Sequence, residues 1–192
     1  METYNITTPL TRELAERLRA GDRVYVSGVI YTARDAAHKR LAELLDSGGE
    51  LPFPLEDSVV YYVGPTPPSP GQVIGSAGPT TSYRMDSYTP RLLDLGMRGM
   101  IGKGKRSEEV VAAMKRGGAV YFAAIGGLGA FLSGCVKAAE VIAFPDLGAE
   151  AVRRLTVADF PVMTVIDSRG ANLYQSGREA YLTASGGGTK AS

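Results

Sequence analysis

Between Gly118 and Val136 the chain runs GAVYFAAIGGLGAFLSGCV, nineteen residues without a charge, with Lys115, Arg116 and Lys137 outside. An uncharged apolar run of about 18 residues or more is long enough to cross a bilayer, so this stretch decides first whether the chain belongs in a membrane or around a core of its own. Its glycines decide against the membrane. Gly118, Gly126, Gly127, Gly129 and Gly134 each weaken a helix by about 0.8–1 kcal/mol relative to alanine, and AVYFAAI is dense in strand formers. The run therefore reads as a buried strand over 119–125, a glycine turn and a short helix. The remaining composition can supply the core around it: 44% hydrophobic and 21% charged residues over 192 positions fit one globular domain of ordinary size.

Other elements follow from local patterns. Thr8 as N-cap, Pro9 at the first helical position and Leu10, Leu14 and Leu18 on one face predict a helix ending at Gly21. RVYVSGVIY, 23–31, predicts a strand with Gly28 at a bulge or close approach. A helix follows from Thr32 or Asp35 to the Ser47, Gly48, Gly49 cluster, with Ala37, Leu41, Leu44 and Leu45 inward. A strand is expected over 59–63. Then, from Gly64 to Tyr88, periodicity disappears into turn residues, and a loop that long inside a compact domain points to function. Beyond it come a helix over 90–95, a strand over 99–101, a helix capped by Ser107 and the buried strand. Further expectations are a strand over 138–144, a helix over 147–155, and a hairpin over 161–176 closed at Arg169-Gly170. The class is α/β, with one domain over 1–177 and a flexible tail over 178–192.

Charge and cysteine content exclude several functions. A net charge of +1 gives no reason to expect nucleic acid or an anionic membrane as partner. Cys135 is the single cysteine, so no internal disulfide forms, and METYNITTP carries no basic or apolar leader; a cytoplasmic location is expected. With one Cys and one His the chain has no zinc set and cannot hold an iron–sulfur cluster by itself, so no metal ligand is assigned here. The phosphate-binding Gly-x-x-x-x-Gly-Lys-Ser/Thr is absent. Gly127-Leu128-Gly129 follows a strand, but the third glycine of a dinucleotide fingerprint would fall at Leu132.

What remains is a set of cations beside turn-rich backbone. Arg34 stands at a strand-to-helix junction, Arg84 follows GPTT in the long loop, and Lys103 lies between glycines in IGKGK. An arginine fork matches a carboxylate, a lysine supplies a point charge, and free N–H groups at turns add anion-binding dipoles. A small polyanion is the natural guest; solvated surface charge is the competing reading of the same residues. His38, one helical turn beyond Arg34, reads as a structural hydrogen-bonder, and Cys135 as a small inert hydrophobe. Asp86 is open between pairing with Arg84 or Arg34 and capping the next helix.

GPTTSYRMD (78–86), TARDAAHKRL (32–41), IGKGKRSEEV (101–110), the IGG of 125–127, FPDLGAEA (144–151) and DFPVMTVIDSRG (159–170) occur in the order and spacing of one family. The chain resembles the β subunit, or C-terminal domain, of class I iron–sulfur fumarate hydratases and L-tartrate dehydratases. The resemblance implies a swivelling β/β/α domain rather than the Rossmann sheet that α/β alternation alone suggests. It also implies a partner α subunit whose three cysteines hold a [4Fe-4S] cluster, an α2β2 assembly, and a part in the tricarboxylic acid cycle. Carried over motif by motif, the substrate-clamping arginines fall on Arg34 and Arg84, the lysine on Lys103 and the catalytic threonine on Thr80. Tyr83 stands where fumarate hydratases more often have a small residue. The implied reaction is reversible hydration of fumarate to L-malate, with tartrate dehydration as the near alternative and a non-catalytic anion-binding module of the same fold as a further one.

Overall fold

A computed structural model describes residues 1–124 and 128–177. In chain order it contains β1 (Thr3–Thr7), α1 (Arg12–Arg17), β2 (Arg23–Thr32), α2 (Asp35–Asp46), β3 (Val59–Tyr61), α3 (Thr89–Asp94) and β4 (Gly99–Gly102). There follow α4 (Glu108–Gly117), β5 (Val120–Ala123), α5 (Gly129–Gly134), β6 (Val136–Ala143) and β7 (Val152–Ile166). The expected tail over 178–192 and the turn residues Ile125, Gly126 and Gly127 lie outside the described residues.

The strands form a seven-stranded mixed sheet in the order β1-β2-β3-β4-β5-β7-β6, with β2 also pairing β7. That extra pairing joins the two ends of the series. β2, β3, β4 and β5 run parallel, and β7 lies antiparallel to both β5 and β2, so these strands close into a small barrel. β1 pairs with the first half of β2, and β6 with the first half of β7. Because strand side chains alternate between faces, Val59 and Tyr61 point into the barrel with Val24, Ile30, Phe122 and Phe160, while Val60 and Tyr62 point outward. The outward set is covered by α2, α3 and α4 through Leu41, Leu92, Leu93, Val110 and Met114. Fully burying a large apolar side chain contributes about 1.5–3 kcal/mol, so two continuous cores on opposite faces of the same strands fix their register.

Gly28 is both the bulge and the close approach read from the sequence. The β2–β7 register slips between Val26 and Gly28, Gly28 has φ +102°, and a Cβ there would stand 2.5 Å from Thr8 Oγ1. No helix of the described residues is long and apolar enough to cross a membrane. Within the uncharged run the strand and the short helix are present as β5 and α5.

Three expectations need correction. The first helix is capped by Thr11, whose hydroxyl accepts the N–H of Leu14 at 3.3 Å, rather than by Thr8. Thr8, one residue past β1, is still tied to β2, donating its N–H to Ser27 O at 2.9 Å, and the helix begins only at Arg12. The preceding strand β1 carries no readable alternation, Ile6 being its one fully buried residue. The helix expected over 147–155 is a 3₁₀ segment, Pro145–Glu150, after which Val152, Leu155 and Val157 enter β7. The hairpin keeps its turn, where the Asp167 carboxylate accepts the N–H groups of Arg169 and Ala171, but loses its second arm. Its return pairing is a single bridge between Ile166 and Asn172, and the chain turns helical at 173–177.

Candidate functional site

Arg34 occupies the N-cap position of α2 with extended backbone and makes no capping hydrogen bond of its own. Glu150, at the end of the 3₁₀ segment before β7, takes that role. One carboxylate oxygen accepts the N–H of Ala36 at 3.1 Å and the other meets Arg34 Nη2 at 3.1 Å. An anion at a helix N-terminus is stabilised by the free N–H groups and the dipole there, so Glu150 braces both the helix and the arginine. Gly64, just after β3, leaves the space that the arginine fills: a Cβ there would stand 2.8 Å from Arg34 Nη1 and 3.0 Å from its Cδ.

The long loop returns to the same place. Tyr61 donates its hydroxyl hydrogen to Ala77 O, a bridge joins Val63 to Pro79, and Thr80 N–H donates to Tyr62 O at 2.8 Å. A 3₁₀ turn, Ser82–Met85, then brings Arg84 back over Thr80, and Arg84 Nη2 donates to Thr80 Oγ1 at 2.9 Å. Asp35 completes the cluster: its Oδ1 lies 3.6 Å from Arg34 Nε and 3.8 Å from Arg84 Nη1. The side chains of Arg34 and Arg84 are 22% and 40% exposed, so the cluster is open to the surface.

Lys103 joins through its backbone. It pairs with Thr81 in a parallel bridge, its carbonyl accepts Ser82 N–H at 2.9 Å, and its own N–H donates to Ser82 Oγ at 3.1 Å. Ser82 Oγ lies 2.9 Å from Tyr121 Oη, which donates to Gly104 O, so the only hydroxyl hydrogen left for that contact is the serine's. The buried serine can approach this closely because residue 102 is glycine; a Cβ there would fall 2.0 Å from Ser82 Oγ. Lys103 itself is an exposed residue.

The structure thus brings Arg34, Thr80 and Arg84 into direct or one-residue contact and ties Lys103 to the neighbouring residue Thr81. It also adds what the sequence reading did not include, Asp35, Glu150, Gly64 and Ser82. The two carboxylates offset two of the three cations, so the positive excess near Thr80 is smaller than the cations alone suggest. Asp86 belongs elsewhere. It pairs with the buried Arg106 at 2.7 Å and accepts Ser107 N–H at 2.7 Å at the start of α4. The Arg106 guanidinium also lies 5.2 Å over Tyr62 and 5.1 Å over Tyr121; burial opposes its charge, but Tyr62, Asp86 and Tyr121 more than offset this and raise its pKa. No local pattern in KGKR distinguishes Arg106 from its exposed neighbours.

His38 is fully buried, with Nδ1 2.9 Å from Arg34 O and its ring edge-on to Tyr62, in keeping with the structural reading. Burial pushes its pKa down to about 4. Cys135 is half-buried, and desolvation raises its thiol pKa, which disfavours the reactive thiolate. Among the described residues no group of three or more His, Cys, Asp and Glu could hold a metal ion. With Cys135 as the single cysteine of the sequence, the donor set does not fit an iron–sulfur cluster, which takes several thiolates.

A family model described as Fumarase C-terminus matches residues 1–177. The aerobic class I fumarate hydratase of Escherichia coli K12 is 37% identical over 175 residues, covering 89% of this chain and 32% of that protein. Fumarate hydratase 2 of Leishmania major is 39% identical over 165 residues, covering 85% of this chain and 29% of that protein. A Methanocaldococcus jannaschii protein named "Putative L(+)-tartrate dehydratase subunit beta" is 39% identical over 172 residues, covering 86% of this chain and 88% of that protein. The chain spans about a third of the length of the fumarate hydratases it matches and most of the length of the β subunit.

Proposed function

Because the chain belongs to the fumarase C-terminus family, we propose that it is the β subunit of a class I hydro-lyase, adding water reversibly to fumarate to give L-malate. The observation that carries the reading is the 2.9 Å hydrogen bond from Arg84 to Thr80 Oγ1, beside Arg34, in a cluster open to the surface. Removing a proton from the carbon next to a carboxylate, or in the other direction adding the hydroxyl to the double bond before that carbon is protonated, drives negative charge onto that carboxylate. Guanidiniums fixed in advance where that charge develops stabilise it without reorganising, which is commonly the largest single contribution to catalysis. Arg34 and Arg84 take that role, and Lys103 supplies a further point charge at the rim. Arg84 donating to the Thr80 hydroxyl favours its ionised form, so Thr80 exchanges the α-proton as the base or as the last atom of a relay.

The same reading assigns the [4Fe-4S] cluster to cysteines of an α subunit, since this chain has no ligands for it. The chemistry given to this chain ends at the carboxylates and the α-proton. The barrel with its outer helices acts as a swivelling β/β/α domain over 1–177 that closes against the α subunit in an α2β2 assembly in the cytoplasm, leaving a tail over 178–192. Tyr83, 65% exposed beside Arg84, faces that approach. Tartrate dehydration is the second reading, favoured by the match to nearly the whole of a β subunit bearing that name.

Co-expression with a three-cysteine partner, anaerobic co-purification, and assays on fumarate, malate and tartrate test the proposal. Hydration by the complex and none by this chain alone is the expected result. Activity of this chain alone without iron, or failure to associate with the partner, overturns it.

A further inference from the structure

We infer that Asp35 is a positioning residue: its carboxylate holds the guanidiniums of Arg34 and Arg84 as one anion clamp, and it does so by charge rather than by hydrogen bonding. The inference deepens the proposed function and rests on it. Asp35 Oδ1 is enclosed and has no hydrogen-bond partner, and the same is true of Arg34 Nε. Their separation of 3.6 Å, and the 3.8 Å from Asp35 Oδ1 to Arg84 Nη1, are too long for hydrogen bonds but close for opposite charges. An enclosed carboxylate oxygen without a donor is costly unless charge compensates it, and here two cations do. The guanidinium N–H groups are consequently not spent on Asp35.

The two arginines depend on Asp35 unequally. Arg34 has a second brace in Glu150 at 3.1 Å. Arg84 meets Asp35 and the Thr80 hydroxyl. Loss of the charge at position 35 should release Arg84 while Arg34 stays in place. It also removes a negative charge that competes with a bound dicarboxylate. These two effects have opposite signs: ground-state binding of a dianion tightens, while the Arg84–Thr80 geometry needed for proton exchange loosens.

Asp35→Asn keeps the shape and removes the charge. In the chain by itself, rotation of the Arg84 guanidinium about its Nε–Cζ bond, read by ¹³C-detected NMR, reports the clamp without turnover, and succinate serves as an unreactive dicarboxylate probe. The expected result is rotation at Arg84 faster by about fivefold or more, little change at Arg34, and a succinate Kd lower by about threefold. In the assembled complex the same variant should lower kcat by about tenfold with KM unchanged or lower, and Asp35→Glu should restore part of kcat. A purely structural aspartate would lower the melting temperature and leave this split absent. Unchanged rotation at Arg84, or no gain in succinate affinity, overturns the assignment. A wild-type complex that hydrates no dicarboxylate would refute the hydro-lyase reading only, because the Arg84 signal and succinate binding still decide the role of Asp35.

Discussion

Thr80 is where a structural and a chemical role separate most sharply. If its hydroxyl only accepted the bond from Arg84, Thr80→Ala would cost about 1 kcal/mol of stability and little turnover. As the group that exchanges the α-proton, its loss should lower kcat by roughly 10²–10⁴-fold, and Thr80→Ser should keep more activity than Thr80→Ala. Solvent-deuterium exchange into malate by the assembled complex reports that step, and exchange at the wild-type rate in Thr80→Ala would remove Thr80 from the mechanism. Arg34→Ala and Arg84→Ala should each lower kcat/KM more than about tenfold, since an unpaired carboxylate in a desolvated site costs roughly 2–5 kcal/mol. His38 gives a prediction of a different kind. Its folded pKa of about 4 lies below the ordinary 6.5, so the unfolded chain takes up the proton first as pH falls. The stability from keeping it neutral is therefore complete above about pH 6.5 and is lost between there and about pH 4, up to roughly 3 kcal/mol. Denaturation of wild type and His38→Gln across that window should show the steeper acid loss in wild type. Arg34, Arg84 and Lys103 stood out in the sequence as cations at junctions and turns, and Thr80 only through the resemblance of its motif; the structure places Arg34, Thr80 and Arg84 in one cluster. Asp35 was adjacent to one of them, but nothing in ARD distinguishes a bridging carboxylate from an ordinary first-turn acid.

At the scale of elements, the junctions rather than the helices and strands carry the site. Gly64→Ala would put a Cβ 2.8 Å from Arg34 Nη1 and 3.0 Å from its Cδ, so the arginine must shift away from its Glu150 brace. The expected outcome is a several-fold loss of kcat/KM with a change in stability below about 1 kcal/mol, checked by kinetics beside thermal melting. Gly102→Ala is the contrasting case: Ser82 and Tyr62 are buried, so the added methyl overpacks the join between β4 and the 3₁₀ turn. It should lower stability by about 1–3 kcal/mol and activity with it. β2, α2, α4 and β5 were legible from periodicity and caps. The segment 147–155 was not, because LGAEAVRRL is locally a good helix former, and only pairing with β2 and β6 makes its second half a strand. Glu150 was illegible for the same reason, being 114 residues from the helix start that it caps.

For the whole molecule, the donor set predicts that this chain, reconstituted anaerobically with iron and sulfide, gains no visible cluster absorption, whereas a complex with a three-cysteine partner does. Colour in the isolated chain would place the cluster ligands here after all. The closing strand has a consequence for synthesis as well. β7 is the last strand described, yet it supplies the partner for both β2 and β5, and Glu150 lies two residues before its start. A ribosome must therefore have released residue 166 before the ring can shut, and Arg34, made more than a hundred residues earlier, waits that long for its brace. Such non-local closure slows folding, so the edges of the parallel strands stay unpaired on the nascent protein until β7 arrives.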